Sequence, residues 1–246
     1  MRIKALIFAA GLGTRFKPWT DTHPKALAPV NGKSLLQRNI EYLQKYNITD
    51  VVVNVHHFSD QIIEAIQLNK GWGTKVEISD ESDAVLETGG GLLKAAPFLR
   101  EAEMFLTLNA DILTNLDLSA LLNFHYRNNP LISLAVTRRE SSRYLLFDKN
   151  LKLVGWRNVK TGEEKISVPC DEPLKRAFSG VAVYRSDVLS LLEESDSFQE
   201  KKKFSVIDVY LELAKKNTIN GYDHTGDILL DVGKPGSVEK AEELFG

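Results

Sequence analysis

Two glycines and an arginine near the start of the chain could bind phosphate. An apolar run over residues 3–8 leads directly into Gly11, Gly13 and Arg15. Glycines let the backbone approach a ligand closely, and their amides can line a phosphate, while an arginine offers several donors to phosphate oxygens. The spacing is not the dinucleotide fingerprint, because Phe16 stands where the third glycine belongs. On these residues alone, a tight strand exit with a solvated arginine explains the pattern equally well.

Two aspartates that follow short apolar runs could bind a metal ion. Asp111 comes soon after the run 104–108, and Asp231 comes directly after the run 228–230. If both runs are neighbouring strands, the two carboxylates could converge on one ion although they lie far apart in the sequence. Phosphoryl and nucleotidyl transfer need charge neutralisation, which Mg²⁺ on oxygen ligands usually supplies. Each aspartate could equally be a turn or capping residue, since aspartates are common there.

The residues after the first glycine loop extend its pattern with fixed spacing. The extended pattern reads Gly11-x-Gly13-Thr14-Arg15-x-x-Pro18-x-Thr20-x-x-x-Pro24-Lys25-x-Leu27-x-Pro29-Val30-x-Gly32-Lys33. It resembles the opening signature of the sugar-1-phosphate nucleotidyltransferases. The resemblance implies that the nucleotide is bound by Ala10, Gly11, Gly13, Thr14, Arg15 and Lys25.

Arg15 and Lys25 are the catalytic residues that this resemblance implies. Lys25 would neutralise phosphate charge where the new bond forms. An arbitrary lysine would be a surface residue, but Pro24 and Pro29 favour a rigid loop that positions it. The sequence therefore predicts an active role for Lys25.

The same resemblance assigns a Mg²⁺ ion to Asp111 and Asp231. Asp111 is similar to the metal ligand after the family's central strand, and Asp231 is similar to the ligand in its late W-x-D-V-G-T-type motif. Here that motif reads Leu229-Leu230-Asp231-Val232-Gly233-Lys234, without the aromatic residue and the threonine. The departure weakens what is expected of the residues around Asp231, but not of the aspartate itself.

A second glycine tract, Leu86-Glu87-Thr88-Gly89-Gly90-Gly91, lies between a predicted strand and a predicted helix. Three glycines there would expose consecutive amides to a base or a phosphate; a flexible loop at a helix start is the alternative. The tract, the short chain and the segment Phe178-Ser179-Gly180 resemble the compact N-acetylmuramate 1-phosphate uridylyltransferases of peptidoglycan recycling. The predicted contacts are Asn54, Gly89 and Gly90 for the nucleotide, and Glu87, Asn109, Ser179 and Gly180 for the sugar.

The sequence leaves open which cation binds the sugar phosphate. Larger relatives in the family carry a Glu-Lys pair for this group in the middle of the chain. The predicted hairpin at that place, around residues 147–156, has no clear equivalent of the pair. Lys160 and Lys165 lie nearby in the sequence, but the pattern does not support either of them.

These resemblances predict an enzyme that joins the nucleotide of a nucleoside triphosphate to a sugar 1-phosphate and releases pyrophosphate. UTP and N-acetylmuramic acid 1-phosphate are the expected substrates. The alternative is guanylyl transfer to mannose 1-phosphate or another hexose 1-phosphate, because Glu81 or Asp83 could accept hydrogen bonds from the amino edge of guanine. A remoter alternative is a catalytically silent nucleotide-sugar regulator. The joint presence of all four candidate catalytic and metal-binding residues argues against it.

In the first half of the chain, apolar runs alternate with helical patterns, and these elements would position the candidate residues. Strands are predicted at 3–8, 51–53, 76–79 and 104–108, and helices at 34–46, at 58–68 and from about Gly90. Such alternation predicts a mainly parallel sheet with helices on both faces. In such sheets, ligands bind beyond the carboxyl ends of the strands, where the first glycine loop and Asp111 are expected.

The pattern changes in the second half, where further strands and a hairpin are predicted. Its predicted elements are a strand at 132–137, a hairpin of 144–147 and 152–156, strands at 181–184 and 228–230, a helix at 206–216 and a last helix opened by Pro235. We expect one α/β domain over 1–246, with a nucleotide-binding part at about 1–110 and a sugar-binding part at about 111–235. The resemblance implies the Rossmann-like, GT-A-type nucleotidyltransferase fold, with the hairpin as a small sugar-side insertion.

The composition limits the kinds of partner. The formal net charge of −2 over 246 residues predicts neither nucleic acid nor a membrane surface as a partner. No run approaches the ~20 apolar residues of a membrane span. The single cysteine, Cys170, cannot form an internal disulfide and favours a reducing cytosol. We therefore expect a cytoplasmic enzyme whose partners are a nucleoside triphosphate and a sugar 1-phosphate, as a monomer or a dimer.

Overall fold

The strands follow the sequence prediction closely in the first half of the chain. The computed structural model describes residues 2–246. In chain order, the strands are β1 (Ile3–Phe8), β2 (Pro29–Val30), β3 (Lys33–Ser34), β4 (Asp50–Val55), β5 (Lys75–Asp80), β6 (Met104–Asn109), β7 (Ile112–Thr114), β8 (Ile132–Thr137), β9 (Arg143–Phe147), β10 (Leu153–Asn158), β11 (Glu164–Ile166), β12 (Leu174–Arg185), β13 (Ile219–Asp223) and β14 (Leu229–Asp231).

The α-helices lie between these strands. They are α1 (Leu35–Gln44), α2 (Ser59–Leu68), α3 (Glu87–Leu99), α4 (Leu118–Asn128), α5 (Val188–Glu193), α6 (Asp196–Gln199), α7 (Val206–Ala214) and α8 (Val238–Leu244). Side chains cap several of their first turns. The Ser34 hydroxyl accepts from the amide of Gln37 at 3.1 Å at the start of α1, and Ser205 and Asp208 form a capping box at the start of α7.

One mixed sheet joins the two halves of the chain. Its order is β11-β10-β9-β12-β6-β1-β4-β5; β8 also pairs with β12, and β13 pairs with β8. The strands β6, β1, β4 and β5 are parallel to one another, whereas β12 runs antiparallel to β6, β8 and β9. The loops that follow β1, β4, β5 and β6 therefore leave the sheet at one edge, where ligands bind in sheets of this kind.

Buried side chains of β1 alternate between the two faces of the sheet. Leu6 and Phe8 belong to a core that α3, α5 and α7 complete, and Ala5 and Ile7 belong to a core that α1, α2 and α4 complete. This two-residue alternation is that of a strand buried on both faces. Removing such apolar surface from water stabilises the fold by about 25 cal/mol per Å².

A third, smaller apolar cluster fixes the segment that carries the signature. Phe16 and Ala28 of that segment pack with Leu113 of β7, Val232 beside β14 and Ala241 of α8. The first-loop residues and the late aspartate motif are therefore parts of one packed unit, although they come from opposite ends of the chain.

The structure moves several predicted boundaries. The hairpin of β9 and β10 is confirmed. Helix α3 begins at Glu87 instead of about Gly90, so the glycine tract lies in its first turns. β14 includes Asp231, and Pro235 opens a 3₁₀ turn before α8 begins at Val238. Between residues 2 and 246, the structure contains no helix that combines the length and the apolar character needed to cross a bilayer.

A buried histidine in α4 makes the stability of the protein depend on pH. His125 is 1% exposed, and its Nδ1 lies 2.8 Å from the Ser133 hydroxyl. Within residues 2–246, no hydrogen-bond partner reaches its buried Nε2. Burial and, to a smaller extent, the charge of Arg185 lower the pKa of His125 to about 4. The folded protein therefore holds this ring neutral at pH values at which an unfolded chain protonates it.

We expect the stabilisation from a neutral His125 to be complete above about pH 6.5 and to be lost as the pH falls towards about 4. In that window, the free energy of unfolding should decrease by up to about 1.4 kcal/mol per pH unit from this residue alone. Urea unfolding at pH 7.5, 6, 5 and 4.5 would measure this, with His125→Gln as a variant that does not titrate. The difference in stability between the two proteins should shrink in acid. A constant difference would contradict the assignment.

Candidate active site

The loop after β1 is fixed at its start by a buried asparagine. Asn54, at the end of β4, is 2% exposed, and its Oδ1 accepts from the amides of Ala9 at 2.7 Å and Ala10 at 3.3 Å. Its Nδ2 donates to Oε1 of Glu81 at 2.7 Å. The predicted nucleotide-binding residue Asn54 therefore holds the backbone that leads into Gly11, and it is also one of the residues that line the adjacent cleft.

The two glycines of this loop differ in their surroundings. A Cβ on Gly11 would meet nothing within 4 Å, so its backbone is open to the cleft. Gly13 has φ +60, and a Cβ there would lie 2.8 Å from Cγ2 of Thr20 and 3.1 Å from Cβ of Lys25. Only glycine adopts this conformation without strain in so little space. Thr14 begins the short 3₁₀ turn that carries Arg15.

Lys25 lies beneath Gly13 and forms an ion pair with one of the predicted metal ligands. A 3₁₀ turn, Lys25–Leu27, presents the side chain, which is 12% exposed. Its Nζ donates to Oδ2 of Asp111 at 2.5 Å. This ion pair already provides Asp111 with a positively charged partner.

Strand pairing brings the two aspartates together. β14 runs antiparallel to β7 with Asp231 opposite Ile112, and the amide of Val232 donates to the carbonyl of Asp111 at 2.8 Å. Asp231 is an exposed residue, yet the protein atoms around its carboxyl group raise the pKa of this group by desolvation, and the negative charge of Asp111 raises it further.

Arg15 completes this group of charges. Its Nη2 would lie 3.2 Å from a Cβ on Gly233, and Oδ1 of Asp231 would lie 2.6 Å from the same atom. The positive charges of Lys25 and Arg15 both oppose the rise in the pKa of Asp231. The structure thus brings together the two predicted catalytic cations and the two predicted metal ligands.

Residues at or after the ends of β1, β4, β5 and β6 line one cleft beside this charged group. Glu81, which follows β5, also lines it, and the residues predicted from sequence that do so are Ala10, Gly11, Lys25, Asn54, Glu87, Asn109 and Asp111. Glu81 is 1% exposed, and burial raises the pKa of its carboxyl group, against the hydrogen bond from Asn54. The sequence suggested Glu81 only as a guanine-binding residue. Its position shortly after a predicted strand could have marked it as a cleft residue whichever base is bound.

The glycine tract in α3 does not present its amides to the cleft. The amides of Gly89 and Gly90 both donate to the carbonyl of Phe204, at 2.9 and 3.2 Å. A Cβ on Gly89 would lie 2.4 Å from the Phe204 ring. The expectation of exposed amides is therefore wrong: these glycines allow close packing against the segment before α7. The neighbouring Glu87 faces the cleft and lies 3.6 Å from Nζ of Lys203.

Only part of the predicted sugar contact set faces the cleft. Gly180, with φ +74, packs on Asn109 so closely that a Cβ would lie 3.0 Å from Nδ2 of that residue. Ser179 is 0% exposed, and its hydroxyl lies 2.7 Å from Nε2 of His224. The expected contact of the Ser179 side chain with a sugar is therefore not supported, because that side chain points into the protein.

Comparisons with known proteins agree in class. Residues 4–245 match the family described as "Nucleotidyl transferase". The N-acetylmuramate alpha-1-phosphate uridylyltransferase of Neisseria meningitidis serogroup B is 29% identical over 247 residues, with 99% of each chain covered. The mannose-1-phosphate guanyltransferase of Yarrowia lipolytica is 27% identical over 240 residues, which cover 95% of this chain and 61% of that protein. HddC from Yersinia pseudotuberculosis, solved in complex with GMP-PN, shares the fold with a TM-score of 0.77 at 22% identity, with both chains covered completely.

Proposed function

The chain belongs to the nucleotidyl transferase family, and from this premise we propose that it transfers UMP from UTP to N-acetylmuramic acid 1-phosphate. The products are UDP-N-acetylmuramic acid and pyrophosphate. Its class, a sugar-1-phosphate nucleotidyltransferase with a Rossmann-like α/β fold, agrees with the expectation from the signature. The observation that carries the finer proposal is the match to a uridylyltransferase along 99% of both chains.

The charged group favours an in-line displacement at the α-phosphorus of UTP. An oxygen of the sugar phosphate forms the new bond to this phosphorus, the bond to the bridging oxygen breaks, and pyrophosphate leaves with its electron pair. No general base is needed, because the nucleophile is already an anion. The chain contributes positioning and charge neutralisation. Arg15 and Lys25 would bind triphosphate oxygens, and the open backbone at Gly11 would approach them closely.

The donor set of the charged group fits a Mg²⁺ ion. Asp111 already binds a cation, the ammonium of Lys25, and desolvation together with the charge of Asp111 raises the pKa of Asp231. Residues 2–246 contain no group of three or more His, Cys, Asp or Glu side chains placed to hold a metal. Mg²⁺ commonly uses one or two carboxylates together with substrate phosphates. Asp111 and Asp231 would hold the ion, which would supply charge neutralisation for the phosphates.

The two parts of the chain would then have separate tasks. Residues of about 1–110 would bind the nucleotide, through the first glycine loop, Asn54 and the start of α3. Residues of about 111–235 would bind the sugar, with Gly180 and the neighbouring Asn109 at the boundary. N-acetylmuramic acid is a constituent of peptidoglycan, so the reaction would serve peptidoglycan recycling. The cytoplasm, where UTP is made, would be its compartment.

Guanylyl transfer is the second candidate, because of the carboxyl group of Glu81. Its Oε1 accepts from Asn54, and its side chain lines the cleft. An ionised carboxylate could accept two hydrogen bonds from guanine, whereas uracil offers a single N–H donor. Burial raises the pKa of Glu81, which makes a protonated carboxyl group, a possible donor to a uracil carbonyl, easier to form than in water.

A substrate matrix separates the two candidates. Pyrophosphate release should be measured for UTP, GTP, CTP and dTTP, each with N-acetylmuramic acid 1-phosphate, N-acetylglucosamine 1-phosphate and mannose 1-phosphate. We expect UTP with N-acetylmuramic acid 1-phosphate to give the highest kcat/KM, and we expect EDTA to abolish the signal. A clear preference for GTP and mannose 1-phosphate would establish the second candidate instead. Release from no pair would overturn the proposed activity.

A further inference from the structure

The sugar phosphate needs a cation that the candidate lysines do not supply. Nζ of Lys165 lies 3.2 Å from Asp208 and 3.8 Å from Glu163, so its charge is already compensated. Lys160 is an exposed residue of the turn between β10 and β11, and it is not among the residues that line the cleft. Arg15 and Lys25 both belong to the segment that would bind the triphosphate. A second phosphate in the same cleft requires its own positive charge.

Arg139 lies at the sugar side without a carboxylate partner. It follows the end of β8, and its Nη2 donates to the carbonyl of Phe178 at 3.0 Å. Among the residues that the structure describes, no carboxylate lies within ion-pair distance of it, whereas Arg138 and Arg176 both bind Asp223, at 3.2 and 3.0 Å. One bond to a neutral carbonyl anchors the guanidinium and leaves its other donors for a ligand.

The carbonyl that anchors Arg139 is itself held in place. Phe178 begins an irregularity in the pairing of β12 with β8, and Ser179 follows it. The Ser179 hydroxyl contacts Nε2 of His224 at 2.7 Å, and Nδ1 of His224 lies 3.2 Å from Asp227. The next residue, Gly180, packs on Asn109 at the cleft. The irregular strand therefore places the anchor of Arg139 within two residues of the cleft wall.

The anchor of Arg139 places its charge next to the sugar side of the cleft. The carbonyl of Phe178 that binds Arg139 precedes Ser179 and Gly180, and Gly180 packs on Asn109, which lines the cleft. The planar fork of donors of Arg139 suits a phosphate group bound there.

We propose that Arg139 binds the phosphate of the sugar 1-phosphate and takes the place of the lysine that larger relatives use. This inference rests on the proposed function, and it names a residue that the sequence pattern did not single out. Arg139 touches the nucleophilic phosphate and not the nucleotide. Its loss should therefore act on one substrate only.

The test compares Arg139→Gln and Arg139→Lys with the wild type and with the matched control Arg138→Gln. Initial rates of pyrophosphate release give the KM for each substrate separately. We expect Arg139→Gln to raise the KM for the sugar 1-phosphate by about 10-fold or more, because charge-assisted hydrogen bonds to phosphate are lost. The KM for UTP should stay within about twofold. Arg139→Lys should recover part of the loss, because it keeps the charge but not the fork.

The outcomes are distinguishable. If the wild type releases no pyrophosphate from any substrate pair, the proposed function fails, and this inference fails with it. If the wild type is active and both Arg139 variants keep its KM for the sugar phosphate, only the role of Arg139 is overturned. An equal rise for Arg138→Gln, or an equal rise in both KM values, would also overturn it. Thermal unfolding checks the fold, and Arg139→Lys remains informative if Arg139→Gln is unstable.

Discussion

Replacing Lys25 with alanine is expected to lower kcat by about 10²–10³-fold, the usual effect of removing one positioned electrostatic contact to the transition state. The ammonium of Lys25 is the cation that the fold places closest to Asp111. Without it, negative charge that develops on the transferred phosphate loses a fixed neutralising partner. Pyrophosphate release at saturating substrates is the measurement.

The fold should survive this change, because the backbone of the turn does not depend on the side chain. The carbonyl of Lys25 accepts from the amide of Ala28 at 2.9 Å, and the amide of Leu27 donates to the carbonyl of Pro24 at 3.0 Å. Lys17→Ala is the matched control: it removes a lysine of the same segment that is 64% exposed and binds only the surface residue Asp21. Near-normal turnover of purified Lys25→Ala would exclude a catalytic role.

Replacing Asp111 with asparagine is expected to lower kcat/KM by about two to three orders of magnitude, because the effect should be comparable to that of losing a fixed transition-state contact. The exchange keeps the shape but removes one of two carboxylates that would hold Mg²⁺. The remaining activity should need a higher Mg²⁺ concentration, since an amide oxygen is the weaker ligand. A titration of rate against Mg²⁺ for the wild type and the variant measures both effects.

Asp60→Asn provides the control for this exchange, since Asp60 is an exposed residue in the first turn of α2. It should leave the rate and the Mg²⁺ dependence unchanged. Asp231→Asn should behave like Asp111→Asn, because the pairing of β14 with β7 brings the two residues together, with the amide of Val232 bonded to the carbonyl of Asp111. If the Asp111→Asn enzyme had the rate and the Mg²⁺ dependence of the wild type, Asp111 would not be a metal ligand.

The parallel half of the fold was predictable because its signals are local. The run at β1 is buried on both faces, and its strand boundaries match the sequence prediction residue for residue. Ser34 was expected at the start of the first helix, and it caps that helix. Asp111 and Arg15 could be placed near each other because loops after parallel strands share one edge.

The errors concern contacts between distant parts of the chain. Nothing near Gly89 in the sequence shows that Phe204 will take its amide. In the same way, the burial of Ser179 depends on His224, which arrives from the loop after β13. The sequence pattern did not indicate a role for Arg139, because a cationic residue after a strand is common. Its lack of a carboxylate partner is visible only once Arg138 is seen to bind Asp223.

The twelve-residue strand β12 connects the parallel strands of the first half with the hairpin of the second half. Near one end the strand pairs with β9, and near the other it closes the edge of β6. A fragment that stops near residue 110 would leave β6 with an unpaired edge, which is a template for aggregation. The proposed nucleotide and sugar parts would thus be separate in chemistry but inseparable in folding, and swapping one part between relatives would require β12 to be exchanged with it.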